Sequence, residues 1–124
     1  MPPDGPRPMM QPIFHIATVA DWEAAQRSGA YTTSTRGRTL AEEGFIHASR
    51  TEQVAPVFER YYRDAGEPLV LLVVDPDRLS AEVRVEPVGA DTYPHVYGPI
   101  DPAAVVEVHP LDADGRWGQS RDQR

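Results

Sequence analysis

Residues 69 to 75 read Leu-Val-Leu-Leu-Val-Val-Asp, six apolar side chains in succession. Successive side chains of a strand point to opposite faces, so this run is apolar on both and needs a packed layer against each. It is the expected central strand, and the rest of the chain has to supply what covers it.

The segments before it supply helices. "IFHIA" (13–17) reads as a short strand, and Thr18 reads as the cap of a helix running through "VADWEAAQRSG", with Asp21 placed nearly as in a capping box. That helix buries Val19, Trp22 and Ala25 and stops at Gly29. "GFIHAS" (44–49) reads as a second strand. Ser49 or Thr51 then caps a helix whose Val54, Val57, Phe58 and Tyr61 fall at i, i+3, i+4 and i+7, and Pro56 implies a bent or late start. After the central run, "EVRVE" (82–86) alternates with Val83 and Val85 inward. "HVYG" (95–98) and "VVEVH" (105–109) give two further strands, joined through Pro102. Two early helices and mostly late strands predict an α+β fold with a small, largely antiparallel sheet core, not a parallel doubly wound one.

The first twelve residues carry Pro2, Pro3, Pro6, Pro8 and Pro12 and are expected to be a disordered leader; the domain is expected over 13–118, with a disordered tail over 119–124. The polar stretch 31–43 reads as a loop, long enough to suggest a functional one.

Composition removes chemistries. The absence of Cys excludes disulfides, thiolate nucleophiles and Cys-based zinc sites. All 12 basic residues are Arg, which excludes a protein Schiff base and the Walker-type phosphate loop. A net charge of -7 argues against general nucleic-acid binding. No apolar run reaches the roughly 20 residues of a membrane span, and the N-terminus lacks signal organisation, so a cytoplasmic location is expected. There is neither a Gly-x-Ser-x-Gly elbow nor a glycine-rich strand-to-helix loop after the first strand.

Four histidines remain as the main chemical resource: His15, His47, His95 and His109. His47 with Ser49, and His95 with Tyr97, are two apart in strands and share a face. Their spacing is not diagnostic of zinc, and no metal is expected. Three readings stay open: a non-catalytic small-ligand or biosynthetic accessory protein, a His-based acid/base enzyme on an unrelated metabolite with His95 as base, and a transferase-like enzyme, the last implied by the resemblance that follows.

The ordered set "IFHIAT…DW", "Y…EEGFIHAS…Q", "YY", "PLVLLVVD…L…V…E" and "YPHVYGPI…AVVEV" resembles the bacterial domain-of-unknown-function family 952, over residues 13 to about 118. The resemblance implies a small α+β fold grouped with the ADP-ribosyltransferases, whose core grips NAD between two small sheets. Within that group the pattern is most similar to the RNA 2′-phosphotransferases. It implies that His15, Thr18, Tyr31, Ser34, Arg36, His47 and Ser49 contact NAD or an ADP-ribose-like nucleotide. Arg36, Arg38 and Arg50 would add positive charge beside it. Where the classical enzymes use a late-strand carboxylate, this chain offers His95 and Tyr97 with Glu86 on the preceding strand, so His47, Glu86, His95 and Tyr97 are the expected catalytic group. Phe45 would form the apolar end of the cleft.

Overall fold

A computed structural model describes residues 11–117. Residues 1–10 of the expected leader, and the tail from 118 onward, lie outside the described residues.

Strand β5 (Leu69–Val74) is central to a three-stranded antiparallel sheet of order β1-β5-β8, flanked by β1 (Ile13–Thr18) and β8 (Val105–Leu111). Every residue of β5 is buried, as its unbroken apolar run requires. Its two faces serve two cores. Val70, Leu72 and Val74 join Ile13, Ala17, Trp22, Ile46 and Val96, whereas Leu69, Leu71 and Val73 join Phe14, Ile16, Val54, Phe58 and Tyr62. A second antiparallel sheet has the order β4-β7-β6, from β4 (Ile46–His47), β7 (Asp91–Tyr97) and β6 (Glu82–Val88). The two sheets meet where Phe14 and Ser49 exchange backbone N–H···O bonds, each 2.8 Å. The architecture is a mixed α+β one built on small antiparallel sheets.

Helix α1 (Val19–Ser28) starts at Thr18, whose Oγ1 accepts from the Asp21 amide at 3.0 Å, and buries Trp22 and Ala25. It stops at Gly29, where φ is 89°, a conformation that costs a side-chain-bearing residue about 1 kcal/mol or more.

Five expectations need correction. The stretch 31–43 is not a loop: β2 (Thr33–Thr35) and β3 (Arg38–Thr39) pair as a hairpin, and α2 (Leu40–Glu43) follows behind a Thr39–Glu42 capping box. Short strands rich in Thr, Ser and Arg carry no alternating apolar signal, so the pattern was invisible. The strand at 44–49 pairs regularly only over Ile46 and His47, because Ser49 leaves it to bridge Phe14. Ser49 and Thr51 do not cap the next helix; the Gln53 side chain accepts from the Arg50 amide at 2.8 Å instead. That helix passes from a 3-10 turn (Thr51–Gln53) through α3 (Val54–Val57) to a π turn (Phe58–Tyr62). The wider turn displaces the apolar stripe by one position, so Tyr62 is buried while Tyr61 stays 50% exposed. Finally, Val83 packs on the first core but Val85 is 62% exposed, since β6 is a sheet edge.

Candidate functional site

The β4-β7-β6 sheet has one face in the core, through Ile46, Val83 and Val96. Alternation puts Phe45, His47, Tyr93, His95, Tyr97, Arg84 and Glu86 on the other face. Register makes neighbours of them: His47 lies opposite His95, and His95 opposite Arg84.

Glu86 is the hub of this face. One of its oxygens accepts from His95 Nδ1 at 2.7 Å and from the Tyr97 hydroxyl at 2.6 Å. Those two bonds, Tyr97's foremost, hold the Glu86 carboxyl below the usual carboxylate range, and the bond to Glu86 pushes the Tyr97 hydroxyl up. An ionised carboxylate only accepts, so His95 carries its proton on Nδ1 and leaves Nε2 as a bare acceptor. His95 is 3% exposed, and among the described residues its Nε2 is the one buried side-chain nitrogen or oxygen without a partner. Phe45 stacks over it, ring centroids 4.1 Å apart, and the His47 ring meets it edgewise at 5.3 Å.

His47 is held from both ends. Its carbonyl accepts from His15 Nδ1 at 2.6 Å, and its Nε2 faces Glu43 at 3.4 Å, a carboxylate that also pairs with Arg38 at 2.6 Å. Its side chain is 40% exposed, and burial, set against Glu43 and reinforced by His95, pulls its pKa down. His15 is fully interior. Because a carbonyl only accepts, Nδ1 is the protonated nitrogen, so Nε2 accepts from the Tyr31 hydroxyl at 2.9 Å. Burial lowers the His15 pKa to about 4 and pushes the Tyr31 hydroxyl up. His15 is thus a neutral strut beneath His47.

An open cleft of ≈ 1590 Å³ runs past His47. The β2–β3 hairpin (Ser34 to Arg38), Ser49, the helical segment Pro56 to Tyr62, and the β6–β7 turn with Tyr93 wall it. Of the expected ligand contacts, His15, Ser34, Arg36, His47 and Ser49 line it, whereas Tyr31 and Thr18 do not. Ser34 is committed to the Phe45 carbonyl at 2.5 Å, Ser49 is buried, and Thr18 caps α1. Arg50 is taken by Glu52 and Asp91. Glu86, His95 and Tyr97 lie together beside the cleft, behind His47, and Phe45 stacks on them rather than closing its end. His109 is remote in register, on β8 beside Glu107.

The charges lining the cleft are Arg36, Arg38 and Arg60 against Glu43, Glu59 and Asp91. Each carboxylate already has an arginine: Glu43 has Arg38, Glu59 has Arg63, and Asp91 has Arg50. The Arg36 guanidinium donates to the carbonyls of Tyr61 and Asp64, at 3.2 and 3.3 Å, and Arg60 has no partner among the described residues. Among the described residues the cleft therefore presents two guanidinium groups without a counter-ion. Sequence reasoning picked out Arg36 but missed Arg60 and Tyr61. Arg60 adjoins the apolar pattern of the helix, and the π turn that brings it and Tyr61 to the cleft leaves no local sequence signal. Among the described residues no group of three or more His, Asp or Glu could hold a metal ion, and no helix is long and apolar enough to cross a membrane.

A family model described as "Protein of unknown function (DUF952)" matches residues 16–108. The chain is also similar to protein CC0527 from Caulobacter crescentus. Its X-ray structure is 30% identical in sequence, with a TM-score of 0.73 over 90% of this chain and 96% of that one. Its solution NMR structure, also 30% identical, gives 0.66 over 93% and 97%. No curated protein matches significantly.

Proposed function

We propose, for a chain that belongs to the family of proteins of unknown function DUF952, that the cleft beside His47 binds NAD or an ADP-ribose-like nucleotide in a transferase-like reaction. The observation that carries this reading is the pair of guanidinium groups, Arg36 and Arg60, without carboxylate partners among the described residues, lining the same cleft as a half-exposed imidazole. Guanidinium matches phosphate oxygens in charge and in its forked geometry, so an anionic ligand lowers the energy of this cleft where a neutral one does not. A volume of ≈ 1590 Å³ exceeds what a mononucleotide-sized pocket needs and leaves room for a dinucleotide. Tyr61 and Tyr93, exposed and half-exposed on its walls, offer ring faces on which a base stacks. Two small antiparallel sheets joined at one edge support an ADP-ribosyltransferase-like arrangement by analogy of architecture. In this reading Glu86 and Tyr97, behind His47, assist the transfer.

The test is a calorimetric and thermal-shift titration with NAD and with ADP-ribose. Ligand at 100 times its dissociation constant stabilises the fold by about 2.7 kcal/mol. Saturable binding weakened at least about tenfold in Arg60→Ala, a loss of about 1.4 kcal/mol, is expected. Failure of both ligands to bind the intact protein contradicts the proposal.

A further inference from the structure

We propose that His47 is the general base of the cleft and that His95 is the positioning residue that sets it, the two imidazoles acting as one unit that holds a single added proton. The ligand class rests on the nucleotide reading above, but the proton-sharing pair does not. The groups served are a water or a sugar hydroxyl held against His47. In the step, the O–H bond breaks, its electron pair stays on the oxygen, and the proton passes to His47 Nδ1.

Glu86 accepts a hydrogen bond from His95 Nδ1, and Glu43 faces Nε2 of His47, so each ring is anchored through one nitrogen by a carboxylate. The anchored nitrogens are opposite ones. What remains free is Nε2 on His95 and Nδ1 on His47, both acceptors when neutral. Among the described residues the His95 lone pair is buried with no partner, a desolvated acceptor that costs stability. The two rings face each other across directly paired residues, centroids 5.3 Å apart and planes 84° to one another. One proton entering this pair is stabilised by a carboxylate beside each ring, Glu43 at His47 and Glu86 at His95; a second meets the charge of the first across ring centroids 5.3 Å apart in a half-buried site. Phe45, stacked on His95 and edgewise to His47, keeps water from the inner ring. His47, the outer ring, is the one that reaches the cleft.

The charged and titratable groups around the pair belong to every element that packs on it. Arg38 on β3 pairs with Glu43 at the end of α2. Glu86 and Arg84 come from β6, and Tyr97 and Tyr93 from β7, with Arg84 lying over the Tyr97 ring at 4.5 Å. His15 on β1 holds the His47 carbonyl. Removing Glu86 or His95 therefore changes the electrostatics of His47 without touching the cleft wall.

The experiment is a titration of the ligand-free protein, labelled with 15N in its imidazoles, followed by long-range 1H–15N correlation. His109, on β8 away from the pair, is the internal reference. The expected result is that His47 titrates in two steps, as a ring coupled to its neighbour does. In His95→Gln, His47 titrates in one step, with its midpoint moved upward by about one pH unit. Glu86→Gln, a change at a partly exposed carboxylate that should leave the fold intact, keeps an oxygen for the His95 Nδ1–H but removes the negative charge behind that ring, and alters the His47 midpoint as well. A His47 curve that is single-step in the wild type and unmoved in both variants overturns the proposal. Because no ligand is present, that outcome leaves nucleotide binding standing, and failure to bind nucleotide leaves the coupled titration standing.

Discussion

Protonating His15 should unfasten the two sheets, and the size of the effect follows from its surroundings. The ring is 4% exposed, donates from Nδ1 to the His47 carbonyl and accepts at Nε2 from Tyr31. A second proton would place an N–H against the Tyr31 hydroxyl and a charge where no carboxylate touches it. The pKa accordingly falls from 6.5 to about 4, chiefly through burial. In the unfolded chain the ring has its ordinary value, so between these two pH values the unfolded state binds more protons than the folded one. The stability that His15 contributes is fully present above about pH 6.5, is lost as pH falls toward 4, and changes no further below that. The shift corresponds to about 3 kcal/mol, a large share of the 5–15 kcal/mol typical of a domain. At roughly 4 °C per kcal/mol the midpoint of melting drops by about 12 °C. Calorimetric scans from pH 7.5 to 4 on wild type and His15→Gln isolate this group, because the carboxylates and His47 titrate in both. The variant should start less stable and lose less as the pH falls. Parallel curves over the window from 6.5 to 4 would refute the assignment of a buried neutral imidazole.

Other perturbations separate packing from conformation. Gln53→Ala removes the bonds to the Arg50 amide, Asp91 and the Thr92 carbonyl, and should cost about 1–3 kcal/mol in chemical denaturation while loosening the β6–β7 turn that walls the cleft. Gly44 and Gly115 both have positive φ, 89° and 78°, but a methyl at 44 meets nothing within 4 Å whereas one at 115 falls 2.5 Å from the Phe58 ring. Gly44→Ala should cost about 1 kcal/mol and Gly115→Ala distinctly more, and equal losses would show that Phe58 yields freely. Arg60→Ala removes an exposed side chain without a partner among the described residues and should leave stability within about 0.5 kcal/mol of wild type, so that any loss of ligand affinity is a loss of contact rather than of fold.

The legible parts of this fold are those where one periodicity dominates. The 69–74 run announced a two-faced central strand, and Thr18, Asp21 and Gly29 marked both ends of α1, because caps and breakers act locally. The hairpin inside 31–43 and the phase of the helix after Thr51 were not legible. The first is stabilised by packing and backbone pairing rather than by alternation, and the second depends on a π turn that moves Tyr61 outward and Tyr62 inward. The histidines behaved similarly. Pairing at i and i+2 correctly put His95 and Tyr97 on one face, and tertiary structure alone reveals that Glu86 binds both. That His15 is a strut rather than an exposed group could not be read, since its partners, Tyr31 and the His47 carbonyl, lie 16 and 32 residues away.

Mapping amide shifts in 1H–15N spectra during titration with ADP-ribose tests most directly whether an anionic ligand occupies the cleft past His47. Saturable shifts should cluster at residues 34–38, 47–49, 60–62 and 88–93, the walls of that cleft. Shifts confined to the smaller cavity between Phe58, Pro68 and Leu111, or none at saturating ligand, would contradict it.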